Sequence, residues 1–229
     1  AQILLNPYIF WRGYQAIPPQ KSWRIPYVLF FILELSLFFF GFTFRNVLPD
    51  SVMIAIQYIC NTWYIASIYI TLSLLVLEVL RLSNRFFHWF PGWMTGHWKQ
   101  TKLTLFFLII AIVTGLMFHA YHVVAYPIVK DVYVTLPKGS SERDSMTIVM
   151  MSDLHIGEMI GKELVQRYVK MSNEQHPDMV VLVGDIMDYE SRFAEKAHIE
   201  EDLKQLKAPL GVYVVYGNHE YRANRIAKY

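Results

Sequence analysis

The sequence predicts an N-terminal α-helical membrane bundle followed by a smaller α/β region built on parallel strands, and three observations carry that expectation. Three apolar stretches, 26–44, 52–80 and 103–126, are each long enough to cross a hydrocarbon core, which takes about 20 helical residues. Charge is divided along the chain: residues 1–126 hold eight Lys or Arg against three acids, whereas 127–229 hold 13 basic and 16 acidic side chains. After Tyr126 the long apolar runs give way to short β-rich strings separated by charged helical stretches.

Composition narrows the function classes. At 229 residues, 54% hydrophobic and 17% charged, the chain is not a disordered one and fits an ordinary soluble domain poorly. Its one cysteine, Cys60, excludes an internal disulfide framework and a cysteine-built zinc site. The formal charge of +2 comes from basic loops beside apolar segments, and the polar part is net acidic, so no nucleic-acid module is expected.

The apolar stretches must be helical, because unpaired backbone groups are costly in hydrocarbon and the runs lack the alternation of barrel strands. Trp23, Tyr27, Trp63, Trp89, Trp93 and Trp98 mostly flank the spans, where amphipathic rings suit the headgroup layer. The chain begins with Ala1, and 3–11 reads like the tail of an earlier apolar helix, so a preceding segment is expected to be missing. Basic residues gather before the first span (Arg12, Lys21, Arg24) and in 81–102 (Arg81, Arg85, Lys99, Lys102), against Arg45 alone in the loop between. Both richer segments are expected to be cytoplasmic, which places everything after the third span outside. Glu34 lies mid-span, Glu78 is placed to pair with Arg81, and His119 and His122 share a helical face.

In the second region, 130–136 alternates like a half-exposed strand and 137–145 is a polar turn. Segments 147–151, 179–183 and 212–216 read as buried parallel strands, with helices at 162–175 and 192–206 between them. Each strand runs into a polar cluster: Ser152-Asp153-Leu154-His155, Gly184-Asp185 and Gly217-Asn218-His219-Glu220. The carboxyl ends of parallel strands share one edge, so the clusters converge. Two ionised Asp side chains in one crevice repel each other unless a cation neutralises them. The mixed oxygen and nitrogen set suits Mn²⁺, Fe²⁺ or Zn²⁺ better than Ca²⁺. Each cluster alone is also what an ordinary turn looks like. Their conjunction, with 32 residues from Asp153 to Asp185 and 33 from there to Asn218, leaves room for one strand-helix unit in each gap. Gly184 and Gly217 would let the backbone turn sharply there.

Ser-Asp-Leu-His at 152–155, Val-Gly-Asp-Ile-Met-Asp at 183–188 and Tyr-Gly-Asn-His-Glu at 216–220 resemble the first three signatures of the calcineurin-like metallophosphoesterases, in the bacterial branch with a multi-helix membrane region. The resemblance implies two divalent metal ions, with Asp153 and His155 on one, Asp185 bridging and Asn218 on the second. It implies that His219 contacts the substrate phosphate as an acid or transition-state stabiliser. Arg222 is a further candidate for an anionic substrate, Asp188 for a supporting or turn residue and Glu220 for orienting His219 or capping a helix. The family pattern continues with another His and a Gly-His-x-His that the residues up to Tyr229 do not contain, and His176 and His198 come too early to replace them. Residues 127–229 are therefore expected to form the first half of the family's α/β sandwich, with an exposed sheet edge and weak metal binding of their own. The function implied is hydrolysis of a phosphomonoester or phosphodiester at a membrane, the partners being the lipid bilayer and the substrate. The alternatives are a non-enzymatic membrane protein with a vestigial metal-binding module and a transporter regulated by that domain.

Overall fold

The computed structural model describes residues 2–44, 47–137, 139, 143–157, 160–188 and 196–222. They fall into two compact units, Ala1–Val124 and Ala125–Tyr229.

The first unit comprises α1 (Gln2–Ala16), α2 (Lys21–Phe44), α3 (Asp50–Phe87), α4 (Gly92–Gly96) and α5 (Trp98–Ala125). The apolar stretches lie in α2, α3 and α5, three helices long and apolar enough to cross a membrane. Segment 3–11 lies within α1, which continues to Ala16. At 38 residues, α3 is about 57 Å long and outruns a hydrocarbon core of about 30 Å. Nothing in 81–87 breaks the helix. It stops at His88, where φ turns to +51° and the backbone N–H reaches back to the Asn84 carbonyl. The Asn84 side chain then accepts the Phe90 N–H at 2.6 Å, and Pro91 follows.

One stripe of α3, Met53, Ile56, Cys60 and Ser67, is buried at helical spacing. The outer faces remain apolar, with Phe42 and Phe118 more than two-thirds exposed, as suits helices solvated by lipid. Hydrogen bonds between side chains link the helices of the bundle. Asn6 donates to Glu34 at 2.8 Å and accepts from the Trp63 indole at 2.9 Å, so α1 bridges α2 and α3. The Tyr27 hydroxyl donates to the carbonyls of Ile9 and Phe10. In apolar surroundings such bonds have no water to compete with them. The mid-span Glu34 is thus a buried structural group in this unit. Glu78 pairs with Arg12 of α1 and not with Arg81. Arg81 is exposed on its own helix, whereas α1 packs along α3 and delivers Arg12 from across the interface. His119 and His122 are both exposed and belong to no group of three ligating side chains among the described residues.

The second unit runs β1 (Ile148–Ser152), α6 (Lys162–Glu174), β2 (Met179–Val183), α7 (Ile199–Leu203), β3 (Val212–Val215) and α8 (Asn218–Arg222). The strands form one parallel sheet in the order β1-β2-β3. Ser152 lies beside Val183 and Val183 beside Val215, so all three strands finish level. Val165 and Val169 of α6 and Ile199 of α7 pack with Val180, Leu182, Ile156 and Leu206 in one core. Apolar, β-branched strands between amphipathic helices dictate this layer, since each helix has a single stripe to bury.

Three expectations need correction. Segment 130–136 is not a strand: Val132, Tyr133 and Val134 are more than 70% exposed, and no described strand pairs with it. Alternation makes a strand possible, but only a hydrogen-bonded neighbour holds one in place. The sheet is also covered on one face only. Every residue of β3 is exposed and β1 alternates, because the core of α6 and α7 packs on the Val149, Met151, Val180 and Leu182 face of β1 and β2 and does not reach β3. Finally, the helix expected at 192–206 is interrupted: among the described residues Lys196 and Ile199–Leu203 are helical, and His198, at φ +52°, breaks the run between them; 192–195 lie outside the described residues.

Candidate functional site

The level strand ends place three loops side by side, and backbone bonds continue the sheet into them. The Asp153 N–H donates to the Gly184 carbonyl at 3.1 Å, His155 to Asp185 at 2.9 Å and Ile156 to Ile186 at 2.8 Å. Gly184 in turn donates to Val215 at 2.8 Å. The first loop is therefore zipped to the second well past the end of the strands. Asp153, His155 and Asp185 all have left-handed backbone, with φ of 53°, 45° and 49°. For residues with a Cβ this conformation is uncommon, and several in one crevice mark a place where the surroundings impose it.

Gly184 and Gly217 make the close approach possible. Gly184 has φ +69°, and a Cβ added to Gly217 would stand 2.8 Å from Cγ of Asp185. Across that contact Asp185, only 9% exposed, accepts the His219 N–H at 2.9 Å. The rings of His155 and His219 meet edge to face, with centroids 4.5 Å apart. Ligating atoms of His155, Asp185 and His219 lie within 4.8 Å of one another. Asp188 places Oδ1 3.4 Å from Nδ1 of His219.

Glu220 joins these loops in a way its sequence position does not announce. Its carboxylate is 3% exposed and accepts four backbone N–H groups: Asp185 at 3.0 Å, Ile186 at 2.8 Å, Met187 at 3.2 Å and Gly217 at 2.8 Å. Burial works to raise its pKa, but the amides of Met187, Gly217 and Asp185 outweigh that and hold the carboxyl below the ordinary value. Glu220 is the tie between the second and third loops, and no bond from it to the His219 ring is present. A Glu in a turn carries no pattern that foretells four amide partners.

The sequence candidates are thus placed as follows. His155, Asp185 and His219 are brought together, with Asp188 beside His219. Asp153 sits on the same loop as His155 but outside that tight group, its side chain exposed. Asn218 opens α8 and is exposed. Arg222 ends α8, and its side chain lies outside the described residues. His176 follows α6 and His198 precedes α7; both are exposed and outside the His155 group. Two imidazoles and a nearly buried carboxylate this close together fit a divalent cation, which supplies the positive charge Asp185 otherwise lacks.

Residues 146–229 match the family model described as calcineurin-like phosphoesterase. A zebrafish (Danio rerio) transmembrane protein with metallophosphoesterase domain is 30% identical over 96% of this chain and 51% of its own length. Its bovine (Bos taurus) namesake is 27% identical over 91% of this chain and 46% of its own. An uncharacterized metallophosphoesterase of Bacillus subtilis is 31% identical over 38% of this chain and 30% of its own. The chain spans about half the length of the animal relatives, whose similarity extends through the helices. No solved structure matches it. The helical unit is accordingly that of a membrane-associated protein, and the α/β unit attached to it belongs to the calcineurin-like metallophosphoesterases.

Proposed function

We propose that the complete protein hydrolyses a phosphomonoester or phosphodiester with a dinuclear divalent-metal site, and that the domain stands on the extracytoplasmic side of the membrane. The observation that carries this reading is the convergence of His155, Asp185 and His219 at the level ends of three parallel strands. Family membership gives the reaction class.

In this reading His155 and Asp185 hold metal, with Asp153 and Asn218 turning their exposed side chains to complete the two positions. Bound divalent ions, Mn²⁺, Fe²⁺ or Zn²⁺, supply the positive charge for phosphoryl oxygens and make a water acidic enough to attack near neutral pH. His219 gives a proton or hydrogen bond to the leaving oxygen. Asp188, with Oδ1 3.4 Å from Nδ1, orients the ring and leaves Nε2 for the substrate. Glu220 keeps Asp185 and Gly217 in register and touches no substrate. Arg222 is a further candidate for holding the anionic substrate. The outward placement rests on the basic residues before α2 and in 81–102, and the bilayer holds the domain where membrane-borne phosphoesters pass.

The test is Mn²⁺-dependent cleavage of a chromogenic phosphodiester by the full-length protein, with Asp185→Asn and His219→Ala beside it. Cleavage that falls at least a hundredfold in both variants is expected, in line with loss of a metal ligand and a general acid. Equal rates for wild type and Asp185→Asn would overturn the reading.

A further inference from the structure

The helical unit contains a cavity of about 740 Å³, within the range of ligand sites. Its lining runs from Thr62 to Arg81 on α3 and from Lys102 to Met117 on α5. At 1.5 Å per residue those stretches are about 28 and 22 Å long, so the space is a slot along the helices. Most of its wall is apolar, with Phe31, Ile70, Leu74, Phe106, Ile109 and Val113 among its residues. One end differs. There Arg12, Glu78, Arg81 and Lys102 line the slot together with Trp89 and Trp98. An adjoining hollow of about 470 Å³ shares Glu78, Arg81 and Trp98 and adds Asn84, Arg85 and Thr95.

Four cationic side chains at this end face one carboxylate, and Arg12 already takes Glu78. Lys102 donates to the Gln15 carbonyl at 3.1 Å, which leaves its charge unneutralised. Among the described residues neither Arg81 nor Arg85 has an ion-pair partner. An apolar slot closed by surplus positive charge is complementary to a molecule with a long hydrocarbon part and an anionic head. A neutral amphiphile would leave the cations uncompensated, and a small soluble anion would leave the slot empty. Trp89 and Trp98 stand at the charged end, the level at which indoles sit beside headgroups.

We propose that this cavity binds one anionic phospholipid, its acyl chain along α3 and α5 and its phosphate against Arg81, Arg85 and Lys102. The site uses no residue of the α/β unit, so it stands or falls apart from the hydrolase reading.

The experiment is native mass spectrometry of the full-length protein in neutral detergent, with an equimolar mixture of dioleoylphosphatidylglycerol and dioleoylphosphatidylcholine. One retained phosphatidylglycerol is expected, in preference to phosphatidylcholine. Each cation near the phosphate contributes about fivefold, equivalent to about 1 kcal/mol. Arg81→Ala/Arg85→Ala should therefore lower the preference by more than tenfold, while Lys99→Ala, in the same basic segment but off the cavity, leaves it unchanged. Ala66→Phe, which fills the apolar end, should reduce retention of both lipids. Both arginines are exposed, so their removal does not threaten the fold. Equal retention of the two lipids by wild type, retention of neither, or an equal loss in Lys99→Ala and the arginine variant would each overturn the proposal.

Discussion

Replacing Glu220 by Ala is expected to open the second and third loops while leaving the sheet intact. The carboxylate accepts four N–H groups, from Asp185, Ile186, Met187 and Gly217, at 2.8 to 3.2 Å. A buried amide left without a partner costs about 1–3 kcal/mol. Water entering beside the half-buried Gly217 would satisfy two of the four, and the other two leave a deficit of about 2–6 kcal/mol. At the midpoint, about 4 kcal/mol, the open form of the loops rises roughly a thousandfold. Glu220→Gln keeps one accepting oxygen but turns an NH₂ toward two donors, so about half that effect is expected. The readout is amide hydrogen exchange across 185–187 and at Gly217 in the full-length protein, with β2 as the internal standard. Acid adds a second signature. The Glu220 carboxyl is held below its ordinary value of 4.5, so its stabilisation is complete above that pH and is lost as pH falls through the lower folded value. Wild-type protection should therefore hold down to about pH 5 and decline below it, whereas Glu220→Gln shows no such acid step. Unchanged exchange at these four amides in Glu220→Ala would refute the assignment of Glu220 as the tie.

The remaining predictions concern the same unit and its placement. Gly217→Ala puts a methyl 2.8 Å from Cγ of Asp185, and a destabilisation of about 1–3 kcal/mol with loss of the Mn²⁺-induced shift in melting temperature is expected, measured by thermal unfolding with and without the ion. Ile156, with no exposed surface, should cost about 2–5 kcal/mol when cut to Ala, read from urea unfolding followed by a probe in the α/β unit. For the membrane side, Asp131→Cys in a Cys60→Ser background should react with an impermeant maleimide in intact cells; reaction only after lysis would reverse the topology.

The strand ends were legible because parallel strands flanked by amphipathic helices admit little variation. Segments 179–183 and 212–216 coincide with β2 and β3 to within a residue, and once the strands are level the loops at 153–155, 185 and 217–219 must converge. The three apolar stretches were equally plain, since hydrocarbon leaves the backbone no alternative to helix. Less legible was anything fixed by a distant partner. Glu78 has an apparent partner three residues away in Arg81 and takes one 66 residues away in Arg12, because its half-buried carboxylate faces the helix that packs along α3. The alternation at 130–136 promised a strand that only a neighbouring strand would hold in place.

Asp185 shows why the site could be located from sequence while its support could not. Its identity and position follow from a turn after a strand, but its left-handed backbone, φ +49°, is uphill for any residue with a Cβ. Three features oppose that cost: the Glu220 carboxylate on its N–H, the His219 N–H on its side chain, and the missing Cβ of Gly217 pressed against it. All three come from the third loop, 32 to 35 residues away. The candidate ligand Asp185 and the candidate acid His219 are therefore positioned by one another's loops. A change in either loop must reach both, and the effects of Gly217→Ala and Glu220→Ala should combine non-additively, since each loosens the same turn. Independent, additive losses would mean that the two loops merely lie side by side and that the strain at Asp185 is relieved from within its own loop.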